Sequence, residues 1–191
     1  PVAFYQDLVK RFPTFRYIDS VQYLLGYCQV TMDHFDEAIA AYETLVTQYP
    51  QSRHLDEGWM RLGELYFDMG EWGKAVAAYG SVMKFPESKW YELAFYKLAW
   101  SHFQNDSHTT AINTFLDLLD YYASRGGSQN MADERTSMLR SEVVEYIAKT
   151  LAEDDWDGDG LKDEGAGVAR GLGYLSKPRP SNRAILRKYA D

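Results

Sequence analysis

Through residue 122, apolar residues recur at three- and four-residue steps, in stripes interrupted by short polar clusters. Val21, Leu24, Leu25 and Cys28 fall on one face of a helix by this spacing. Met32-Asp33-His34-Phe35-Asp36 interrupts the pattern, and Ala38, Ile39, Tyr42, Leu45 and Val46 take it up again. Tyr49-Pro50 should end that second helix, because a residue before proline is pushed out of helical space. The next stretch repeats the scheme. Trp59, Leu62, Gly63 and Tyr66 line one helix, Asp68-Met69-Gly70-Glu71 turns, and Ala75, Tyr79 and Val82 line another before Pro86. The pattern predicts helical hairpins.

The hairpins keep a common beat. Tyr5, Tyr42 and Tyr79 are 37 residues apart and Phe115 follows 36 later. Leu8, Leu45, Val82 and Leu118 keep the same interval, as do Gly26, Gly63 and Ala99, then Ala38, Ala75 and Ala111, and Pro13, Pro50 and Pro86. A period in this range marks a stacked array in which each unit buries its apolar face against its neighbours. The small residues at 63 and 75 let two backbones approach, so a large side chain there should overpack the pair.

Trp59-x-x-Leu62-Gly63-x-x-Tyr66 with Ala75, Tyr79 and Pro86 resembles the tetratricopeptide repeat. The resemblance implies an all-α, right-handed superhelix of helical hairpins, an α-solenoid that binds other proteins and carries no catalytic site. Hairpins are expected at residues 17–50, 54–87 and 91–122, preceded by the second helix of an earlier repeat at 1–13. Phe12-Pro13-Thr14 and Tyr49-Pro50-Gln51-Ser52 are similar to the joints of bacterial envelope repeat proteins, such as the outer-membrane assembly lipoprotein and the periplasmic coordinator of envelope constriction. The acidic stretch at 153–160 resembles repeat proteins of myxobacterial gliding machinery. These likenesses imply a periplasmic or envelope-associated setting.

Beyond residue 122 the beat breaks. Residues 123–132, rich in Gly and Ser, read as a loop. Residues 133–180 read as a divergent hairpin, with a helix from about 133 to 151, an acidic insertion at 153–165, and helix again from 166 to 175. Residues 181–191 read as the first helix of a further repeat. Phe4, Tyr5, Leu8 and Phe12 at one end and Ile185, Leu186 and Tyr189 at the other are apolar where terminal repeats are usually polar. The chain is therefore expected to be part of a longer array, or to self-associate through its ends.

The insertion carries the sharpest chemical pattern. Asp155, Asp157 and Asp159 followed by Gly160 match the first half of a calcium loop, in which alternating carboxylates converge on one hard cation. The carbonyl of Leu161 and the carboxylate of Asp163 would complete the set, with Asp154 and Glu164 as second choices. Ala166 stands where an EF-hand has its bidentate Glu. A weak structural calcium site is expected, with affinity on the order of 0.1–1 mM.

Of 191 residues, 46% are hydrophobic and 15% aromatic, enough for a continuous core. A net charge of −8 argues against a general nucleic-acid binder, which needs clustered Lys and Arg. No run approaches the roughly 20 apolar residues of a membrane span. The single Cys28 excludes an internal disulfide. His34, His54, His102 and His108 have no metal-ligand spacing, and the glycines at 165 and 167 fall short of a dinucleotide loop and follow no strand.

In this family the first helix of each hairpin lines the inner surface. Its facing positions are predicted as Tyr23, Tyr27 and Val30; Met60, Glu64 and Phe67; Tyr96, Trp100 and Phe103; then Glu145, Lys149 and Ala152. Aromatic side chains there suit an extended peptide or helix of a partner protein. The Lys and Asn that clamp a C-terminal carboxylate in chaperone-adaptor relatives have no counterpart at Tyr23, Tyr27, Met60 and Glu64. A self-assembling array and a regulatory region of a larger enzyme or signalling protein are the competing readings.

Overall fold

The turns between helices are where the backbone leaves ordinary helical space. Asp33, Gly70 and Asp106 have φ of 58°, 74° and 55°, and they occupy the same place in successive repeats. In each case the next backbone N–H reaches back five residues: His34 to Gln29 at 3.0 Å, Glu71 to Tyr66 at 2.8 Å, Ser107 to His102 at 2.9 Å. A left-handed residue followed by this bond is the Schellman ending, which satisfies the last carbonyls of a helix and reverses the chain at once.

The computed structural model describes residues 1–125, 134–152 and 166–190. Among them are ten α-helices and no strand: α1 Val2–Arg11, α2 Ile18–Val30, α3 Phe35–Gln48, α4 Leu55–Asp68, α5 Trp72–Val82, α6 Tyr91–Gln104, α7 His108–Arg125, α8 Glu134–Ala152, α9 Ala166–Leu175 and α10 Asn182–Ala190. They fall into two compact units, Pro1–Ala111 and Ile112–Asp191. The calcium-loop residues Asp155, Asp157, Asp159, Leu161 and Asp163 lie outside the described residues, as does most of the expected 123–132 loop.

In the first unit each helix packs on the next, from α1 to α6. The core runs through Ala38, Tyr42, Leu45, Met60, Leu62, Ala75, Tyr79, Val82 and Ala94. Two glycines seat the two buried tyrosines. A Cβ at Gly26 would lie 2.7 Å from the Tyr42 ring, and one at Gly63 would lie 2.5 Å from the Tyr79 ring.

That seating corrects the predicted stripe of α2. Val21 is buried, but Leu24 is 38% exposed and Leu25 and Cys28 are only partly covered. Ile18, Val21, Gln22, Gly26 and Gln29 face inward instead. The Tyr42 ring over Gly26 fixes the rotation of α2, so Gln22 and Gln29 enter where the next repeat has Trp59 and Tyr66. The Gln29 side chain is paired with His34 Nδ1 at 3.1 Å, which meets its need for a buried partner.

Successive repeats are also tied by polar links. Ser52 Oγ donates to Asp19 at 2.7 Å and accepts from the backbone N–H of His54 at 3.1 Å. Ser88 does the same with Asp56 at 2.6 Å and Trp90 at 3.1 Å. The hydroxyl satisfies an otherwise orphaned donor at the start of one helix while holding the start of the helix one repeat earlier.

In the second unit α8 packs on α9 and α10. Phe115, Leu116, Leu119, Val143, Ile147, Leu151 and Ile185 are buried, and the Phe115 and Tyr146 rings meet at 4.9 Å. Arg179 reaches Asp120 at 2.7 Å and Asp117 at 3.1 Å. Asn182 donates to the carbonyls of Leu175 and Lys177, tying the start of α10 to the end of α9.

Candidate protein-binding site

Within the first unit, α4 forms the floor of a cavity of about 320 Å³. Arg61, Glu64, Leu65 and Asp68 come from α4, Tyr27 and Val30 from α2, Phe35 and Tyr42 from α3, Tyr79 from α5 and Lys97 from α6. The glycines explain the two tyrosines: with no side chain at 26 or 63, each ring can lie across the facing helix and form part of the wall behind the cavity.

Neither hydroxyl has a hydrogen-bond partner among the described residues, although both side chains are fully buried. Burial pushes both phenols well above their ordinary value, so both stay protonated and able to donate. The charges that act on Tyr79 are Glu64 and Asp68; those on Tyr42 include Arg61, Glu57 and Glu64. Two neutral donors thus stand beside an ion-pair network.

Arg61 organises that network. Its guanidinium donates to Glu64 at 2.8 Å and Glu57 at 3.2 Å and lies 5.0 Å from the centre of the Trp90 ring. Burial would lower its pKa, but the two carboxylates raise it further, so Arg61 is a fixed cation. Glu57 also accepts the Tyr23 hydroxyl at 2.9 Å. Lys97 stands over the Phe67 ring at 4.9 Å, and Phe67 meets Trp72 edge-on at 5.0 Å.

Of the predicted inner residues, Tyr27, Val30 and Glu64 line the cavity, with Tyr27 51% exposed. Tyr23 stands outside it, stacked on His54 at 4.5 Å as a brace between repeats. Phe67 acts beneath Lys97. Tyr96, Trp100 and Phe103 form an edge-to-face column along α6, with centres 6.2 and 5.8 Å apart, and do not line the cavity. Met60 must be corrected: it is fully buried in the core, so no partner can reach it. On α4, Arg61, Leu65 and Asp68 line the cavity beside the predicted Glu64, and Lys97 joins from α6; Arg61 stands one position beyond the buried Met60. One position is about 100° of helix rotation, enough to exchange core for surface. In the second unit Glu145 pairs with Lys149 at 2.7 Å on an exposed face of α8.

Tyr42 and Tyr79 were legible only as repeat core. Among the described residues no group of His, Cys, Asp and Glu could hold a metal ion, and no helix is long and apolar enough to cross a membrane.

Helical hairpins of near-constant length following one another along the chain define an α-solenoid, a repeat scaffold rather than a globular enzyme fold. The tetratricopeptide repeat model matches residues 20–52, 57–88 and 93–124, just over half of the chain, and the chain belongs to that family. The crystal structure of a tetratricopeptide repeat protein from Parabacteroides merdae is similar, with a TM-score of 0.55 over 97% of this chain and 76% of that one, at 15% sequence identity. Identity at that level speaks to fold alone. No curated protein matches the sequence. Repeats of this family generally mediate protein–protein interaction.

Proposed function

We propose that the first unit is a non-enzymatic scaffold that grips an extended segment of a partner protein across α4. The observation that carries this reading is the exposed Tyr27 and Phe35 lining one open cavity together with the charged side chains of Arg61, Glu64, Asp68 and Lys97. An extended peptide brings carbonyls that need donors, and side chains that need apolar contact. Arg61 and Lys97 supply the first; Tyr27, Val30 and Phe35 supply the second. The setting proposed is a bacterial envelope complex, by the likeness of the Tyr-Pro-x-Ser joints.

Selection of peptides from a random library on the full chain tests the groove. Selected peptides are expected to bind a Tyr27→Ala, Asp68→Ala variant at least about tenfold more weakly, the loss of a central anchor. Equal binding by both proteins would sink the groove reading.

We also propose a weak structural calcium site on Asp155, Asp157, Asp159, Leu161 and Asp163, supported by the sequence spacing. Calorimetric titration should give a dissociation constant on the order of 0.1–1 mM, abolished by Asp157→Asn with Asp159→Asn. No heat at millimolar calcium would remove the site.

A further inference from the structure

In a chain of net charge −8, the second unit carries a positive cleft. Arg140 on α8 and Arg183, Arg187 and Lys188 on α10 line one open groove of about 780 Å³, with Val144 and Ala184 supplying apolar wall. None of the four cations has an ion-pair partner among the described residues. Arg179 in the same unit shows the contrast, being held by Asp117 and Asp120. Glu145 on α8 is bonded to Lys149 and feels Lys188 at longer range.

Helix stability does not account for the cluster. Arg187 and Lys188 stand in the last turn of α10, where cations complement the helix dipole. Arg183 stands in the first turn, where a cation opposes the dipole, and Arg140 belongs to another helix. Three guanidinium groups converging on one groove suit carboxylates, which they bind through two parallel hydrogen bonds.

We infer that this cleft binds an acidic peptide segment of a partner protein, with its carboxylates on Arg140, Arg183 and Arg187 and an apolar side chain against Val144 and Ala184. A long nucleic acid fits less well, because it would extend from this local patch over a predominantly acidic protein. A short acidic stretch needs only the patch. This site lies in a different unit from the cavity over α4 and does not depend on it.

The test is fluorescence anisotropy of the full chain with a labelled ten-residue peptide of alternating Glu and Ala containing one central Leu. Binding is expected to weaken at least about tenfold in Arg183→Glu, Arg187→Glu, and to weaken as salt rises from about 50 to 300 mM. It should be unchanged in Tyr27→Ala, which separates the two sites. Should the double reversal fail to fold by circular dichroism, Arg140→Gln with Lys188→Glu makes the same test at other positions. No binding at millimolar peptide, equal affinity in the reversed variants, or tighter binding of duplex DNA or phosphatidylserine vesicles than of the peptide would overturn the inference. So would a dimer in sedimentation that the reversal dissolves, since that would place a second copy in the cleft.

Discussion

The Tyr79 ring occupies the space that a side chain at position 63 would fill: a Cβ on Gly63 would lie 2.5 Å from Cε1 and 2.6 Å from Cδ1. Both residues are buried, so neither can yield without moving a helix. Gly63→Ala is expected to destabilise the protein by about 1–3 kcal/mol, the usual cost of overpacking. Urea denaturation measures it. An unchanged midpoint would mean that α4 and α5 slide apart more easily than their packing implies.

The hydroxyls of Tyr42 and Tyr79 separate stability from binding. A buried polar group without a partner costs about 1–3 kcal/mol, so Tyr79→Phe should leave the fold as stable as before or raise its stability by up to about 1 kcal/mol. The same change should leave capture of a selected peptide unchanged, because the hydroxyl is closed to solvent. A variant that lost peptide affinity at unchanged stability would show that the cavity wall opens far enough for a ligand to reach the phenol.

The serine links should behave as independent units. Ser52→Ala removes both the bond to Asp19 and the cap on His54, and should cost about 1 kcal/mol. Ser88→Ala should cost a similar amount, and the double variant the sum to within about 0.5 kcal/mol, because the two links share no residue. Thermal or urea melts of the three variants decide it.

Asp106 has φ of 55° without being glycine. Its counterpart Gly70 adopts φ of 74° at no such cost. Asp106→Gly should therefore stabilise the turn modestly, by roughly 0.5 kcal/mol net of the added freedom of the unfolded chain. Gly70→Ala should destabilise by a comparable or larger amount, and a paired denaturation experiment reads both signs.

Acid should weaken the first unit through two imidazoles. Burial, then the neighbouring Arg53, holds His54 below its ordinary pKa of 6.5, against the opposing pull of Asp19, Glu57 and Asp56. Its Nε2 accepts from Arg53 Nε at 3.1 Å, a bond open only to the neutral ring. Burial also lowers His102. Both rings protonate more readily when unfolded, so their contribution is complete above about pH 6.5 and is lost as pH falls through the folded values. The denaturation midpoint should be lower at pH 5.5 than at 7.5, and less so in His54→Phe.

The repeat beat was legible because the glycine and tyrosine that seat each other are both rare choices at fixed spacing. Gly63 and Tyr79 mark the hairpin in the sequence itself. What the sequence could not carry was helix rotation. Leu24 belongs to the predicted stripe and is exposed, whereas the polar Gln22 and Gln29 lie outside that stripe and are buried, because a tertiary contact at Gly26 overrode local hydrophobicity. The same ambiguity of one position placed Met60 on the inner face, whereas Met60 is core and its neighbour Arg61 lines the cavity. The positive cleft was illegible for a different reason: Arg140 and Arg183 are distant in sequence, and only the packing of α8 on α10 assembles them.

The Ser52 to Asp19 and Ser88 to Asp56 links span 33 and 32 residues, so each closes over most of one repeat of the chain. Such a link tolerates duplication or loss of an entire unit, after which the next serine meets the next aspartate. An insertion of a few residues between the partners would leave hydroxyl and carboxylate facing past each other. The joint therefore acts as a length gauge, favouring growth of the array by whole repeats and confining fractional insertions to places such as residues 153–165, beyond the last serine of the pattern.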